Sequence, residues 1–360
     1  DARFDAGTIL ASGTFDTKSK EFDIDANGTG IQLNRLTAFA RNTGGVPQVS
    51  GTADITAHAK GIFTDFSTYV VTIDGTGLNG RDAGQLSLVG RTQGGQFNLS
   101  LTTGLLGQPQ VITASVNLAD KLLPAKIETN FENADLTGLF AALLPPGTGV
   151  AVTGRATGRL SAEGNLYDED EGALSYRGLR GTANFTNLTV QVEDVQLSAV
   201  SPLMVQFSGD EIFFEKTQFT GTGTNVLFGG TLAVGPGGRQ NLTVDGQLNL
   251  RVLNGLSPDF FLAGTADVAV RVGGTYEAPR LNGSAAVTGA SLSALITDQR
   301  LQVSNIEGRV IFNSNFAQIS QLTGNMGGGR VFVTGGALLS GTRLGGATGA
   351  AGLDVLLVFT

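Results

Sequence analysis

The sequence predicts an all-β chain, an elongated and repeating sheet with short helices at the junctions between its units. Three observations predict this class. Apolar and polar residues alternate along many short segments, Gly accounts for 53 of the 360 residues, and one glycine-bounded motif returns at roughly 100-residue spacing. Because successive side chains of a strand point to opposite faces, each alternating segment predicts a strand with one apolar and one polar side.

The alternation extends over most of the chain. It is clearest in Phe22–Asp25, Phe97–Thr102, Leu188–Glu193, Val205–Ser208, Leu248–Val252 and Leu301–Ser304. Only 15% of the residues are charged, so the polar side is built largely of Asn, Gln, Ser and Thr. The abundant Gly is typical of turns and bulges. The sequence therefore predicts an amphipathic sheet whose function depends on what its apolar face contacts.

Three segments align without gaps and predict a repeat: Gly51–Gly61, Gly154–Gly164 and Gly264–Gly274. Each begins Gly-x-Ala, continues as an extended run and closes on Gly. A strand pair and a short apolar cluster precede each motif. The alternative is a chance similarity among glycine-rich strands. The predicted units are residues 1–50 (the end of one unit), 51–153, 154–263 and 264–360.

The clearest predicted helix follows Asp135, which can act as its N-cap. Apolar residues then fall at helical spacing, and Pro145-Pro146 ends the pattern. The apolar residues are Leu136, Leu139, Phe140, Leu143 and Leu144. The clusters Ile31–Leu36 and Leu248–Leu256 hold the equivalent position before the other two motifs. We therefore expect one short helical element in each unit.

Composition excludes several classes of protein. The net charge of −8 provides no basic stripe for nucleic acid. Cysteine is absent, which excludes disulfides and thiolate metal sites. No apolar run approaches the roughly 20 residues of a membrane-spanning helix. Because the chain opens on Asp1 and ends in the strand-like Leu353–Phe359, we expect a fragment of a longer protein.

No catalytic residue, metal ligand or cofactor is predicted, so an enzyme is not expected. His58 is the only histidine and is expected to face solvent, and no Gly-x-Ser-x-Gly motif is present. The acidic run Asp168–Glu171 suits Ca²⁺ chemically but lacks the spacing of a calcium loop, so it predicts a solvated hairpin tip. Gly221–Gly223 and Gly327–Gly329 lack the residues that follow a phosphate-binding loop.

The C-terminal part carries three motifs in a fixed order. Val272–Gly283 contains a Gly-Thr turn, a Pro and a Leu-x-Gly, Asn305–Phe312 reads N-I-x-G-x-x-x-F, and Leu322–Gly335 contains Gly327-Gly328-Gly329. In this order the motifs resemble the TamB family. The resemblance covers about Gly264–Leu339 and weakens upstream, where the equivalent of the proline turn is an acidic loop.

The resemblance implies a periplasmic segment of a large envelope protein of a diderm bacterium. Such AsmA-like, bridge-like lipid transfer proteins are anchored in the inner membrane and span the periplasm as a long hydrophobic β-groove, or β-taco. It implies transport of phospholipids between the inner and outer membranes, in support of outer-membrane biogenesis. It also implies a possible partner, an outer-membrane barrel protein of the assembly machinery.

A groove of this kind would bury phospholipid acyl chains at roughly 0.8 kcal/mol per CH₂. Phe, the dominant aromatic residue with 21 copies, suits a dry lining because it has no polar atom. A filled core would use the same residues, so a structural or adhesive extracellular β-repeat protein is the alternative. Strict alternation places Leu250 on the apolar side and Asn249 on the polar side. The predicted lining residues are Leu242, Val244, Leu248, Leu250, Val252, Val268, Val270, Val272, Leu301, Val303, Val310 and Phe312.

Overall fold

The predicted all-β class is confirmed. The computed structural model describes residues 2–4, 7–32, 49–62, 65–78, 81–104, 107–137, 140, 151–170, 172–233, 237–256, 260–275, 278–296, 299–338 and 357–359. Nearly all of them lie in strands, and Leu250–Leu256 forms a 3₁₀ helix. No helix within these ranges is both long enough and apolar enough to cross a membrane.

The chain divides into two units. Unit 1 comprises residues 1–143, 155–185 and 206–209, and unit 2 comprises residues 144–154, 186–205 and 210–360. This division does not test the four repeat units predicted from the sequence, which remain a prediction.

Unit 1 is built from antiparallel neighbours in chain order, each strand pairing with the next from β1 to β10. A separate two-stranded hairpin follows β10. The strands are β1 (Ala2–Phe4), β2 (Gly7–Phe15), β3 (Phe22–Gln32), β4 (Val49–Ile62), β5 (Asp65–Leu78), β6 (Arg81–Gln93), β7 (Gln96–Thr103), β8 (Gln110–Asn117), β9 (Pro124–Asp135), β10 (Val152–Asn165), β11 (Tyr167–Asp168) and β12 (Ala173–Leu174).

Three strands contribute residues to both units: β10, whose first three residues belong to unit 2, β13 (Leu179–Val192) and β15 (Leu203–Ser208). Within unit 2 the end of β13 pairs with β14, β14 pairs with β16, and each strand from β16 to β24 pairs antiparallel with the next. The strands are β14 (Val195–Ala199), β16 (Glu211–Gly221), β17 (Thr224–Ala233), β18 (Gln240–Asn249), β19 (Phe260–Gly274), β20 (Pro279–Ile296), β21 (Gln299–Ser314), β22 (Phe316–Met326), β23 (Gly329–Leu338) and β24 (Leu357–Phe359).

The three Gly-x-Ala segments lie in strands β4, β10 and β19. Their closing glycines, Gly61, Gly164 and Gly274, all have positive φ. The 3₁₀ helix precedes the third segment, at the junction where a helical element is predicted. Before the second segment, the Asp135 carboxylate accepts a hydrogen bond from Thr137 N at 2.9 Å. Hydrogen bonds from the Thr137 side chain, and then from its backbone N–H, lower the pKa of Asp135, as expected for an N-cap.

Of the predicted helix after Asp135, the described residues include Leu136, Thr137 and Phe140. Phe140 N donates to Leu136 O at 2.9 Å, which is the four-residue spacing of an α-helical turn. Leu139, Leu143, Leu144 and Pro145-Pro146 lie outside the described residues, as do most of the Ile31–Leu36 cluster and the predicted terminal strand up to residue 356.

Burial in both units is shallow. No large side chain among the described residues is fully buried, and the residues below 2% exposure are alanines: Ala134, Ala266 and Ala290. Among the described residues, the most buried of the larger apolar side chains are Ile31 and Val195, each 2% exposed. A sandwich of two sheets would bury the inward large side chains of both sheets completely. The described strands therefore form amphipathic sheets without a thick interior.

Candidate functional site

The apolar side chains of unit 2 form rows that run across the strands. Residues that oppose each other in an antiparallel ladder share a face, so the register identifies which side chains are neighbours. The first row is Thr217, Phe228, Val244, Val270, Gly283, Phe312, Ala317 and Ala337, one residue from each strand from β16 to β23. At about 4.8 Å between neighbouring strands, this row extends for roughly 34 Å.

A second row runs beside the first across the same strands. It consists of Phe219, Val226, Gly246, Val268, Ala285, Val310, Ile319 and Gly335. Two flanking rows complete the surface that we call the apolar face. They are Phe214, Gly230, Leu242, Val272, Leu281 and Ser314 on one side, and Leu248, Ala266, Val287, Gly308, Leu322 and Val333 on the other.

No residue of these four rows carries a charge, although the intervening positions of the same strands do. Asp245, Asp267, Arg271 and Arg309 alternate with row residues and point to the opposite side, which we call the polar face. The larger side chains in the rows are mostly half-buried. The apolar face is therefore a continuous, uncharged surface that remains partly open.

All but two of the predicted lining residues lie on this face. Leu242, Val244, Leu248, Val268, Val270, Val272, Val310 and Phe312 are members of the rows. Strict alternation would separate Leu301 and Val303 from Val310 and Phe312. The register between β21 and its neighbours shifts between Ser304 and Glu307, where Asn305 has φ of 49°. The resulting bulge returns Leu301 and Val303 to the apolar face, because one extra residue reverses the parity of a strand.

The position of Val303 is supported by its contact with β22. A Cβ built on Gly324 would lie 2.7 Å from Val303 Cγ1 and 3.5 Å from Ile306 Cγ1. The two side chains therefore flank the same glycine on the same face. Their neighbours in the register are Leu292 and Ala290 of β20.

The strand prediction for Leu250 and Val252 is wrong. Strand β18 ends at Asn249, and both residues belong to the 3₁₀ helix. Leu250 is nevertheless buried, in a cluster with Ala266 and Ala290 at the edge of the apolar face. Val252 is half-buried on the same helix.

The predicted exposure of Asn249 is also wrong, because its side chain ends the strand. Asn249 is 8% exposed. Its Nδ2 donates to Thr222 O at 2.8 Å, and its Oδ1 accepts from Arg251 N at 3.0 Å. Its backbone N–H donates to Thr224 Oγ1 at 3.0 Å. These hydrogen bonds pair backbone groups that would otherwise pair with a neighbouring strand. The strand therefore ends at Asn249, and the 3₁₀ helix begins.

Five glycines of the apolar face have a backbone that other residues rarely adopt: Gly230, Gly246, Gly283, Gly308 and Gly335. Gly283 has φ of 133° and Gly308 has φ of 146°. A Cβ on Gly283 would collide with Ala269 O, and a Cβ on Gly308 with Gln321 O. Neighbouring strands therefore approach each other at these positions in a way that only glycine permits.

In unit 1 the lone histidine lies between two aspartates of the neighbouring strand. His58 Nδ1 is 2.7 Å from Asp25 Oδ1, and His58 Nε2 is 3.7 Å from Asp23 Oδ1. The second oxygen of Asp23 pairs with Lys60 Nζ at 2.9 Å. That hydrogen bond lowers the pKa of Asp23 and raises that of Lys60. His58 is one-third exposed, and the group forms a cross-strand ladder of charges on the polar side.

The acidic run forms the tip of the β11–β12 hairpin, as predicted. Glu169 and Asp170 are exposed, and Asp170 N donates to Asp168 Oδ1 at 3.0 Å. Glu171 lies outside the described residues. These oxygens therefore serve a local turn within the hairpin.

The alternation of apolar and polar residues in the sequence did not identify several residues of the apolar face. Ala285 and Val287 lie in a run with alanine on both faces of β20. The apolar and polar residues do not alternate there, so the pattern does not show which face each residue joins. Phe228 and Ile319 lie beside positions where the ladders shift register. Alternation does not show which ring of the pair Phe213-Phe214 faces the rows. In the structure Phe214 contacts Phe228 edge-on, with ring centroids 5.6 Å apart.

Comparisons with protein-family models, with curated proteins and with solved structures found no match to this chain.

Proposed function

We propose that the apolar face of unit 2 holds the acyl chains of phospholipids. The chain would act as one segment of a hydrophobic β-groove that conducts these lipids across the periplasm of a diderm bacterium, between the inner and outer membranes. The resemblance to the TamB family implies the compartment and the possible outer-membrane barrel partner. The contacts of unit 2 support the binding of acyl chains.

The observation that carries the proposal is a pair of uncharged rows crossing eight strands, with large side chains left half-buried. An acyl chain lying along such a row finds apolar contact at every strand and no charge to desolvate. Burial of each CH₂ is worth about 0.8 kcal/mol. Because the contacts repeat at each strand, positions along the row are similar in energy, and a lipid could move between them without any chemical step.

A structural or adhesive β-repeat protein would have a filled core instead. The shallow burial of the described residues favours an open face over a filled interior. A cluster of buried apolar residues described in unit 2 consists of Leu250, Ala266 and Ala290, and the partly buried Leu262, Val268, Val287 and Ile306 pack against it.

Two adjacent alanines of β20 provide a matched test. Ala285 opposes Val310 and belongs to the apolar face, whereas Ala286 opposes Arg309 on the polar face. Both alanines are half-buried. We expect Ala285→Glu to abolish binding of palmitoyl-oleoyl phosphatidylglycerol, measured by native mass spectrometry, because a carboxylate would interrupt the second row. Ala286→Glu should bind the lipid as the unchanged chain does.

Far-ultraviolet circular dichroism identifies variants that fail to fold. If both folded variants lose the lipid equally, or both retain it, the apolar face is not the binding surface and the proposal is wrong. A chain that binds no lipid in any variant would favour the structural alternative.

A further inference from the structure

Three side chains that can bind a metal ion converge on the polar side of unit 1. Asp23 and Asp25 lie on β3, and His58 lies on the neighbouring strand β4. One ligand atom from each residue, a ring nitrogen or a carboxylate oxygen, lies within 4.8 Å of the other two. Among the residues that the structure describes, no other set of three such groups converges in this way. We call these three residues the histidine cluster.

The pairing of β3 with β4 brings the histidine cluster together. Asp25 opposes His58, and Asp23 opposes Lys60, in a part of the ladder without a register shift. Directly opposed residues share a face, and so do residues two apart on one strand. The two carboxylates of β3 therefore lie on the same side of the sheet as the imidazole of β4.

The imidazole of His58 lies between the two carboxylates. Its Nδ1 is 2.7 Å from Asp25 Oδ1, and its Nε2 is 3.7 Å from Asp23 Oδ1. In a tetrahedral site with bonds of about 2.0–2.1 Å, neighbouring ligand atoms are roughly 3.3 Å apart. All three side chains are partly exposed, so small rotations can bring one atom of each to that spacing. A metal ion can also reach them from solvent.

Lys60 leaves one oxygen of Asp23 for a metal ion. Its Nζ lies 2.9 Å from Asp23 Oδ2, whereas the oxygen nearer to His58 is Oδ1. The hydrogen bond to Oδ2 therefore orients the carboxylate with Oδ1 towards the imidazole. The positive charge of Lys60 opposes the binding of a cation, but the nearby Glu21 carboxylate also acts on Lys60 and offsets part of that charge.

The donor set of the histidine cluster favours Zn²⁺ over Ca²⁺ or Mg²⁺. Ca²⁺ takes about six to eight oxygen ligands, and Mg²⁺ prefers an octahedron of oxygen atoms, whereas Zn²⁺ accepts an imidazole nitrogen together with carboxylate oxygens. Three protein ligands leave a fourth position for water. Ser12 and Thr14 of β2 oppose Asp25 and Asp23, so their hydroxyl groups lie on the same face beside the two carboxylates.

We infer that Asp23, Asp25 and His58 bind Zn²⁺, and that the bound ion links β3 to β4. The site is separate from the apolar face, and the inference does not rest on the proposed function. The sequence did not predict this site, because Asp25 and His58 are 33 residues apart and their spacing matches no metal-binding motif. An ion that binds the folded sheet and not the unfolded chain stabilises the fold.

The test is a calorimetric titration of ZnCl₂ into the chain without a polyhistidine tag. The variants are His58→Gln and Asp25→Asn. The matched control combines Asp168→Asn with Asp170→Asn, which removes two carboxylates from the β11–β12 hairpin of the same unit. We expect each cluster variant to bind Zn²⁺ roughly tenfold more weakly or worse, and the hairpin control to bind it as the unchanged chain does. Circular dichroism shows which variants fold.

Two further measurements use the metal alone as the probe. Because His58 is the only histidine, its ring nitrogens give the only imidazole signals in ¹⁵N nuclear magnetic resonance. One equivalent of Zn²⁺ should shift one of these signals in the unchanged chain, which requires no variant to fold. Zn²⁺ should also raise the melting temperature of the unchanged chain and of the hairpin control, but not that of His58→Gln.

Three results would overturn the inference. Zn²⁺ binding that persists in folded His58→Gln, or that is lost in the hairpin control, would place the metal elsewhere on the acidic surface. Ca²⁺ binding as tight as that of Zn²⁺ would show that the imidazole is not a ligand. The absence of Zn²⁺ binding, or unshifted ring nitrogens, would show that these residues form an ion-pair ladder alone.

Discussion

The two faces of the unit 2 sheet are carried by the same strands and differ in their charge. On the apolar face, two complete rows cross eight strands without a charged residue. On the polar face, one residue away along each strand, Asp267, Arg271 and Arg309 are interspersed with amides, hydroxyls and exposed apolar side chains such as Leu227 and Ile311. The difference shows that the chemistry of each position depends on strand parity, so any feature that shifts parity decides which face a residue joins.

The polar faces of the two units also differ from each other. In unit 1, Glu128 pairs with Lys126 at 3.0 Å and with Arg159 at 3.1 Å across β9 and β10. Arg180 pairs with Glu163 at 3.5 Å. In unit 2, Arg271, Arg280 and Arg309 form no ion pair with a described carboxylate, although Arg251 pairs with Asp194. The described ion pairs between neighbouring strands therefore lie in unit 1.

The largest expected effect on the free energy of unfolding is that of a substitution at Gly283, a glycine of the apolar face. Gly283→Ala would place a methyl group against Ala269 O and force a residue with a side chain to φ near 133°. We expect a loss of about 3 kcal/mol in the free energy of unfolding. Urea unfolding followed by circular dichroism measures this loss, since the chain has no Trp for fluorescence.

Gly273→Ala is the matched control for this substitution. Gly273 lies in the adjacent strand, its φ is not in the left-handed region, and the nearest atoms to an added Cβ are 3.7 and 3.9 Å away. If Gly273→Ala lowered the free energy of unfolding as much as Gly283→Ala, the positive φ of Gly283 would not be the cause of the loss.

An intermediate effect is expected where the polar face is buried. Asn249→Ala should lower the free energy of unfolding by about 2 kcal/mol, because it leaves Thr222 O and Arg251 N without the partners that Asn249 provides. Gln247→Ala, at an exposed position of the same strand and parity, should change it by less than about 0.5 kcal/mol. Equal effects at both positions would show that Asn249 does not end the strand by its hydrogen bonds.

The smallest effect is expected at an exposed ion pair of the polar face. The Lys126 side chain, and then Arg159, hold the pKa of Glu128 below its usual range. The stabilisation is therefore complete above the ordinary glutamate pKa of about 4.3 and disappears as pH falls through the lowered value. The stability difference between the unchanged chain and Glu128→Gln should be small at pH 7 and vanish near pH 2, as measured by thermal unfolding. A difference that grows on acidification would reverse the assigned sign.

Alternation alone was sufficient to place Val244, Val270 and Val310 on one face, because their strands keep a two-residue period there. It was insufficient at Asn305, where a bulge places Val303 on the apolar face although strict alternation would place it on the polar face. A bulge depends on how two strands pair with each other, and the periodicity of one strand carries no information about that pairing.

The end of β18 could not be predicted for a related reason. The sequence Leu248–Val252 alternates perfectly, yet Asn249 bonds to Thr222 and Thr224 from another part of the chain. Such bonds are tertiary contacts that override local pattern.

The length of each row of the apolar face depends on the number of strands that the row crosses. Each added β-hairpin contributes two strands and would lengthen every row by about 10 Å without changing the local contacts of the residues already present. Duplication of a hairpin is therefore a simple genetic route to a longer surface. The distance such a protein spans could change in evolution by whole hairpins, with the side-chain chemistry of the existing rows preserved.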